Sequence, residues 1–166
     1  LADLHHAVGV GGPVHVTVIS HLVPARGRDT FGGRFFSYWE EGRLRDVFAG
    51  AGFEIDHFED DGEWMRVGAT RVRTLADTVG PGMRLLMCGL NPSVFAADAG
   101  VGFARPGNRF WPAALDAGLA TVARDPRAAL RDHGIGMTDI VKRATPRADA
   151  LSTAEYRTGL ARVERL

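Results

Sequence analysis

The sequence predicts an α/β protein made of two incomplete three-layer α/β/α halves, and three observations predict it. Short β-branched or apolar runs alternate with 3.6-residue helical patterns along the whole chain. A stretch of turn signals without periodicity, residues 74–82, cuts that alternation in two. The length, 166 residues, allows one full domain or two pieces of domains. The composition, 45% apolar and 24% charged, is that of a globular protein and excludes collagen-like, disordered and disulfide-scaffold classes.

Each element has its own signal. Residues 1–8 read as the end of a helix, with Leu1, Leu4 and Val8 on one side, and Gly9–Pro13 as a turn. Val14–Ser20 is a β-branched strand. Residues 24–38 read as a Gly- and Arg-rich loop running into the aromatics Phe35, Phe36, Tyr38 and Trp39. Leu44, Val47, Phe48 and Ala51 line one face of a helix over 40–51, which Gly52 stops. Phe53–Phe58, the turn Asp60-Asp61-Gly62 and Glu63–Val72 form a hairpin. After the break, Met83–Gly89 is a short apolar strand, and a loop rich in Gly and Ala follows to Gly107. Asn108 can cap a helix holding Phe110, Trp111, Leu115 and Leu119. Asp125-Pro126 opens a helix to Gly134, Ile135–Val141 is a second strand, and Ser152–Glu155 is a capping box before a helix expected to be cut by the chain end.

One cysteine, Cys88, excludes an internal disulfide and a four-cysteine zinc site, and its apolar strand makes it a small packed hydrophobe. No apolar run is long enough to span a membrane. The chain starts at Leu1 without a signal segment, so it is expected to be an excerpt of a longer, cytoplasmic protein. The zero net charge hides a split of −4 over residues 1–83 and +4 over 84–166. An anionic partner for the second half and a merely solvated surface explain that split equally well. The acidic run Glu59–Glu63 fits a solvated turn better than a calcium loop, and His5 and His6 lack partners at metal-ligand spacing.

The segment richest in chemistry is Gly89-Leu90-Asn91-Pro92-Ser93, followed by residues 100–111 (Gly-Val-Gly-Phe-Ala-Arg-Pro-Gly-Asn-Arg-Phe-Trp). It puts a neutral amide and small residues at the carboxyl end of a strand, where ligands of open α/β sheets sit. Phe103 lies on the same loop system between glycines. It serves either as a face for a flat ligand or as a loop anchor packed into the core.

These residues resemble the first signature of the mismatch-specific uracil/thymine DNA glycosylases, in the uracil-DNA glycosylase superfamily: Gly-aliphatic-Asn-Pro, a small-residue loop, then Phe-Ala-x-Pro-x-Asn-Arg-Phe-Trp. The similarity continues through Gly134–Val141, Arg143, Thr145 and Ser152–Glu155, and covers about residues 79–166. The resemblance implies that Asn91 holds the attacking water and that Phe103 stacks on the flipped base. It implies that the backbone at Leu90 and Phe103 meets the base carbonyl edges, and that Ser93 leaves room for 5-substituents. Arg105 and Arg109 would meet DNA phosphates, although Arg109 could equally pair with an internal carboxylate. Asp139 stands where relatives carry varied polar residues, and an acid there would disfavour anionic 5-substituents. The family's second motif, an Asn/His-Pro-Ser segment, is absent, because the chain ends before its expected position.

Residues 1–75 resemble the C-terminal part of a class I S-adenosylmethionine-dependent methyltransferase, a Rossmann-like end. The cues are the Leu-x-x-Leu-His helix, the Gly-Gly turn and strand at 11–20, the helix at 44–53 and the closing hairpin. Gly9-Val-Gly-Gly12 follows a helix and precedes a strand, the reverse of a cofactor loop. S-adenosylmethionine would therefore belong to residues upstream of Leu1, and the glycosylase half needs no cofactor or metal. The expected partner is double-stranded DNA with G·U or G·T mismatches, and no membrane. Two other readings stand beside this monofunctional glycosylase: a methyltransferase with an accessory glycosylase-like half, and a mismatch-binding module without catalysis.

Overall fold

The structure, a computed structural model, describes residues 1–21 and 37–166. Phe35, Phe36 and most of the loop expected over 24–38 lie outside the described residues. Helices and strands alternate as the α/β reading expects. The order is α1 (Ala2–Ala7), β1 (Pro13–Ser20), β2 (Tyr38–Trp39), α2 (Glu41–Gly50), β3 (Phe53–Asp60), β4 (Trp64–Arg71), β5 (Leu85–Gly89), α3 (Val94–Ala99), α4 (Phe110–Asp116), α5 (Pro126–His133), β6 (Ile135–Asp139) and α6 (Thr153–Val163). The chain divides into two compact units. The first holds residues 3–49 and 53–72 with Leu1, and the second holds 73–166 with Ala2 and Gly50–Gly52.

The first unit is built on a mixed sheet of order β2-β1-β4-β3, in which β1 runs parallel to β2 and antiparallel to β4. Leu44 and Phe48, one turn apart on α2, are buried, as are Met65 and Val67 at alternate positions of β4. Each such side chain contributes roughly 1.5–3 kcal/mol. His5 is also buried, edge-on to Phe53, with Nε2 3.2 Å from an Arg71 guanidinium nitrogen. The acidic hairpin turn uses its own carboxylates. Asp60 accepts from the Gly62 N–H, and Asp61 accepts from the N–H groups of Glu63 and Trp64. Arg66 lies 2.9 Å from Asp61, and the two backbone donors do most to hold the Asp61 carboxyl below its usual range.

The second unit centres on β5 and β6, parallel and paired from Leu85↔Ile135 to Gly89↔Asp139. The far edge of β6 is occupied too, because Thr78 and Met137 exchange two backbone hydrogen bonds of 2.8 Å. Trp111, Ala114 and Ala120 form a buried cluster with Val101, Phe110 and Met137 packed against it. Of the three helix starts expected from the sequence, the Asn108 cap shifts by one, since Arg109 is the N-cap of α4 while Asn108 Oδ1 accepts from the Phe110 N–H (2.8 Å), and the other two form as drawn. Asp125 accepts from the Ala128 N–H, and Ser152 and Glu155 make a complete capping box. On α6, a Cβ at Gly159 would come 2.1 Å from the Ile140 carbonyl oxygen, so the helix rests directly on the chain leaving β6.

Four expectations are corrected. Residues 94–99, read as loop, form α3. Leu119 lies beyond α4, because the chain turns left-handed at Gly118 (φ 69°) and cannot continue the helix. Cys88 is exposed, not packed: among the described residues β5 pairs only with β6, and its flank at Leu85 and Cys88 stays open. The last helix, α6, closes at Val163, before the chain end.

Candidate active site

Beyond their carboxyl ends the two parallel strands stay stitched together. The Ile140 N–H donates to Gly89 O (2.9 Å), Val141 N–H to Leu90 O (2.9 Å) and Thr145 N–H to Pro92 O (3.1 Å). Asn91 sits in the middle of this seam. Its Nδ2 donates to Thr145 Oγ1 (2.7 Å), Arg143 O (3.0 Å) and Pro92 O (3.1 Å). Two of those partners are carbonyl oxygens, which only an NH2 can satisfy, so the orientation of the amide is fixed. Thr145 spends its own proton on Arg147 O (2.8 Å) and must accept from Asn91. The Asn91 Oδ1 has no protein donor among the described residues and remains free to hold a ligand or a water.

The Arg143 carbonyl is itself held in place. Its guanidinium grips Glu155 at 2.7 and 3.1 Å and donates to Ala150 O (2.9 Å). Glu155 is the capping-box acid of α6, and Arg143, then Ser152, hold its carboxyl down at about 2. The start of α6 therefore steadies one of the acceptors of the Asn91 amide. Arg143 was visible in the sequence, but its hold on this acceptor was not.

Phe103 adopts a left-handed backbone (φ 59°), a conformation costing an aromatic residue about 1–2 kcal/mol. Its ring stacks on Phe110 with centroids 4.0 Å apart and stays 37% exposed. The loop is anchored beneath it, where Trp111 Nε1–H donates to Gly102 O (2.9 Å). The residue is thus propped from below and open to solvent, between the two alternatives the sequence left. The backbone N–H groups of Leu90 and Phe103 donate to no protein acceptor among the described residues. Ser93 caps α3, its Oγ accepting from the Ala96 N–H at 3.1 Å. Arg105 and Arg109 are exposed, and neither pairs with a carboxylate among the described residues. The internal pairing considered for Arg109 is not formed.

Asp139 ends β6 opposite Gly89, and a Cβ at Gly89 would come 2.3 Å from its Oδ1. Glycine at position 89 is what lets this carboxylate lie across the start of the Asn91 loop. Burial, only partly opposed by Lys142, raises the Asp139 carboxyl to about 6. In the sequence, Asp139 bears only on the substituents of a ligand. Its half-buried setting and two of the charges acting on it, Asp77 and Arg162, come from segments distant in sequence, and only Lys142 is near.

That shift has a consequence for stability. The folded chain binds more protons than the unfolded one between the ordinary carboxyl value and about 6, so stability falls as pH rises through that window. Asp139→Asn removes the penalty. The expected result is a melting temperature a few degrees above wild type at pH 8 and equal to it below pH 4, read by thermal unfolding.

The site thus combines an oriented amide, open N–H donors, a propped aromatic face and a half-buried acid at the ends of parallel strands. Residues 76–164, more than half of the chain, match the family model of the uracil DNA glycosylase superfamily, and the chain belongs to that superfamily of DNA-acting glycosylase hydrolases.

Proposed function

We propose that the chain is a monofunctional base-excision glycosylase releasing uracil, and thymine as a second base, from G·U and G·T mispairs. The observation that carries this reading is the Asn91 amide, immobilised through its nitrogen with Oδ1 left free. An amide cannot take up a proton as a carboxylate can, so Asn91 acts by positioning a water. The bond from the sugar carbon to the pyrimidine nitrogen breaks with its electron pair leaving on the base. The water oxygen then bonds the sugar carbon, and its proton passes to solvent or to the departed anion. N–H donors of Leu90 and Phe103 stabilise the negative carbonyl edge. The Asp139 carboxylate, ionised above about pH 6, stabilises the positive sugar.

The target base must leave the duplex to reach these groups, and mispaired bases leave at least cost. Phe103 offers it a stacking face. Ser93, its hydroxyl committed to the helix cap, presents a small surface that leaves room for a 5-methyl group. Arg105 and Arg109, both exposed, would meet the phosphates. The first unit, with its closing hairpin of β3 and β4, fits the end of a methyltransferase-like domain, and no residue of it is assigned to a cofactor.

The test is release of base from otherwise identical duplexes carrying G·U, G·T, A·U or G·C, with alkaline strand scission as readout. The expected order is G·U, then G·T, then A·U, with none from G·C. Equal release from A·U and G·U would remove the mismatch preference and leave uracil excision. Binding to G·U without scission would leave a mismatch-binding module.

A further inference from the structure

A buried ionic network lies at the end of β6 and shares no partner with the Asn91 amide. The Asp77 carboxylate is 5% exposed. Its Oδ1 accepts from Lys142 Nζ (2.6 Å) and Thr138 Oγ1 (2.7 Å), and its Oδ2 accepts from the Arg162 guanidinium (2.5 Å). Arg162 also donates to Thr138 Oγ1 (3.0 Å) and to the Asp139 carbonyl (2.7 Å). Three separate pieces of chain thus converge on the end of β6: the segment before β5, the chain leaving β6, and α6.

The network holds two cations against one carboxylate, and the buried Arg162 Nε has no acceptor among the described residues. Such an arrangement is costly unless another negative group stands close. Asp139 is that group. Its surroundings comprise Lys142 from the following chain, Asp77 from the segment before β5, Arg162 from α6 and the Cys88 thiol from β5. Its own carboxylate accepts no hydrogen bond among the described residues, so burial first, then the neighbouring charges and the placement of its backbone, govern it.

We propose that Asp77, Lys142 and Arg162 are positioning residues, a buried brace that holds the end of β6 through the Asp139 carbonyl, keeps its carboxylate beside Gly89 and surrounds it with charge, without touching DNA. The inference deepens the reading of the site given above and rests on it for the role of Asp139. The two ends of the brace act in opposite directions. Lys142 favours the ionised carboxylate and Asp77 opposes it.

The test is a 13C NMR titration of the Asp139 carboxyl in the whole chain, for wild type, D77N and K142M, with uracil release from a G·U duplex followed over the same pH range. The expected inflection is near pH 6 in wild type. It moves up by about 1 pH unit in K142M and down in D77N, and the rate profile follows. Shifts of opposite sign are not produced by general loosening of the fold. Inflections that stay in place, or that move the same way in both variants, would overturn the proposal. If D77N does not fold, K142M decides alone, since methionine keeps the volume of a side chain at the rim of the network. Titrations that move as expected in a protein releasing no uracil would support the brace and overturn the excision reading.

Discussion

Asn91→Ala is expected to lower uracil release from a G·U duplex by about 10²–10³-fold while duplex binding stays within a few-fold. The argument lies in the donor count. Alanine leaves the Arg143 and Pro92 carbonyls and the Thr145 hydroxyl without their shared donor, and removes the free Oδ1 at the strand ends. The backbone seam persists, because the bonds from Ile140, Val141 and Thr145 run through main-chain atoms. The loop should therefore keep its course and the protein its affinity. Asn91→Asp separates positioning from protonation. A carboxylate cannot donate to the two carbonyls and would face them with like charge, so it should restore no activity at neutral pH. Single-turnover excision and binding to a non-cleavable duplex measure both quantities. Equal losses of binding and rate would mean that Asn91 shapes the loop and does not act on the water.

How much of this site the sequence shows depends on the range of the interactions. The Asp125-Pro126 start and the Ser152–Glu155 box are local, since their hydrogen bonds join residues three positions apart, and the hairpin's two strands are contiguous runs joined by one short turn. They are legible for that reason. The helix of residues 94–99 had a local signal too: Ser93 at its N-cap and left-handed Gly100 at its end. Alanine-rich composition and short length hid it among turn residues. The position of Asn91 at the end of a strand was legible from the strand before it. The identity of its three acceptors was not, because two of them lie more than 50 residues away, on the chain leaving a strand that must first pair in parallel. The Asp77 brace is harder still, joining residues 85 positions apart. In the sequence, Asp77 is one polar residue in a stretch of turn signals.

The second large effect is expected at Trp111, where core and site share one side chain. Trp111 is buried, meets Phe110 edge-on at 5.2 Å, and donates its indole N–H to Gly102 O. Phe110 in turn carries the Phe103 ring on its face. Trp111→Ala empties the centre of the cluster and should cost about 3–5 kcal/mol, read as a lower denaturation midpoint at unchanged slope. Trp111→Phe keeps most of the apolar volume and deletes one donor, leaving the Gly102 carbonyl unpaired at a cost of about 1–3 kcal/mol. The phenylalanine variant is the informative one. It should remain folded at 25 °C, yet its Phe103 backbone loses the tether that holds it left-handed. Uracil release should then fall by roughly tenfold, because the stacking face and the neighbouring N–H donor move together. A variant destabilised by that amount with unchanged excision would show that Phe110 alone suffices to hold Phe103. Loss of excision without loss of stability would place Trp111 in contact with the flipped base. The expected outcome, both effects in one variant, follows from a loop whose strain is held by the core beneath it.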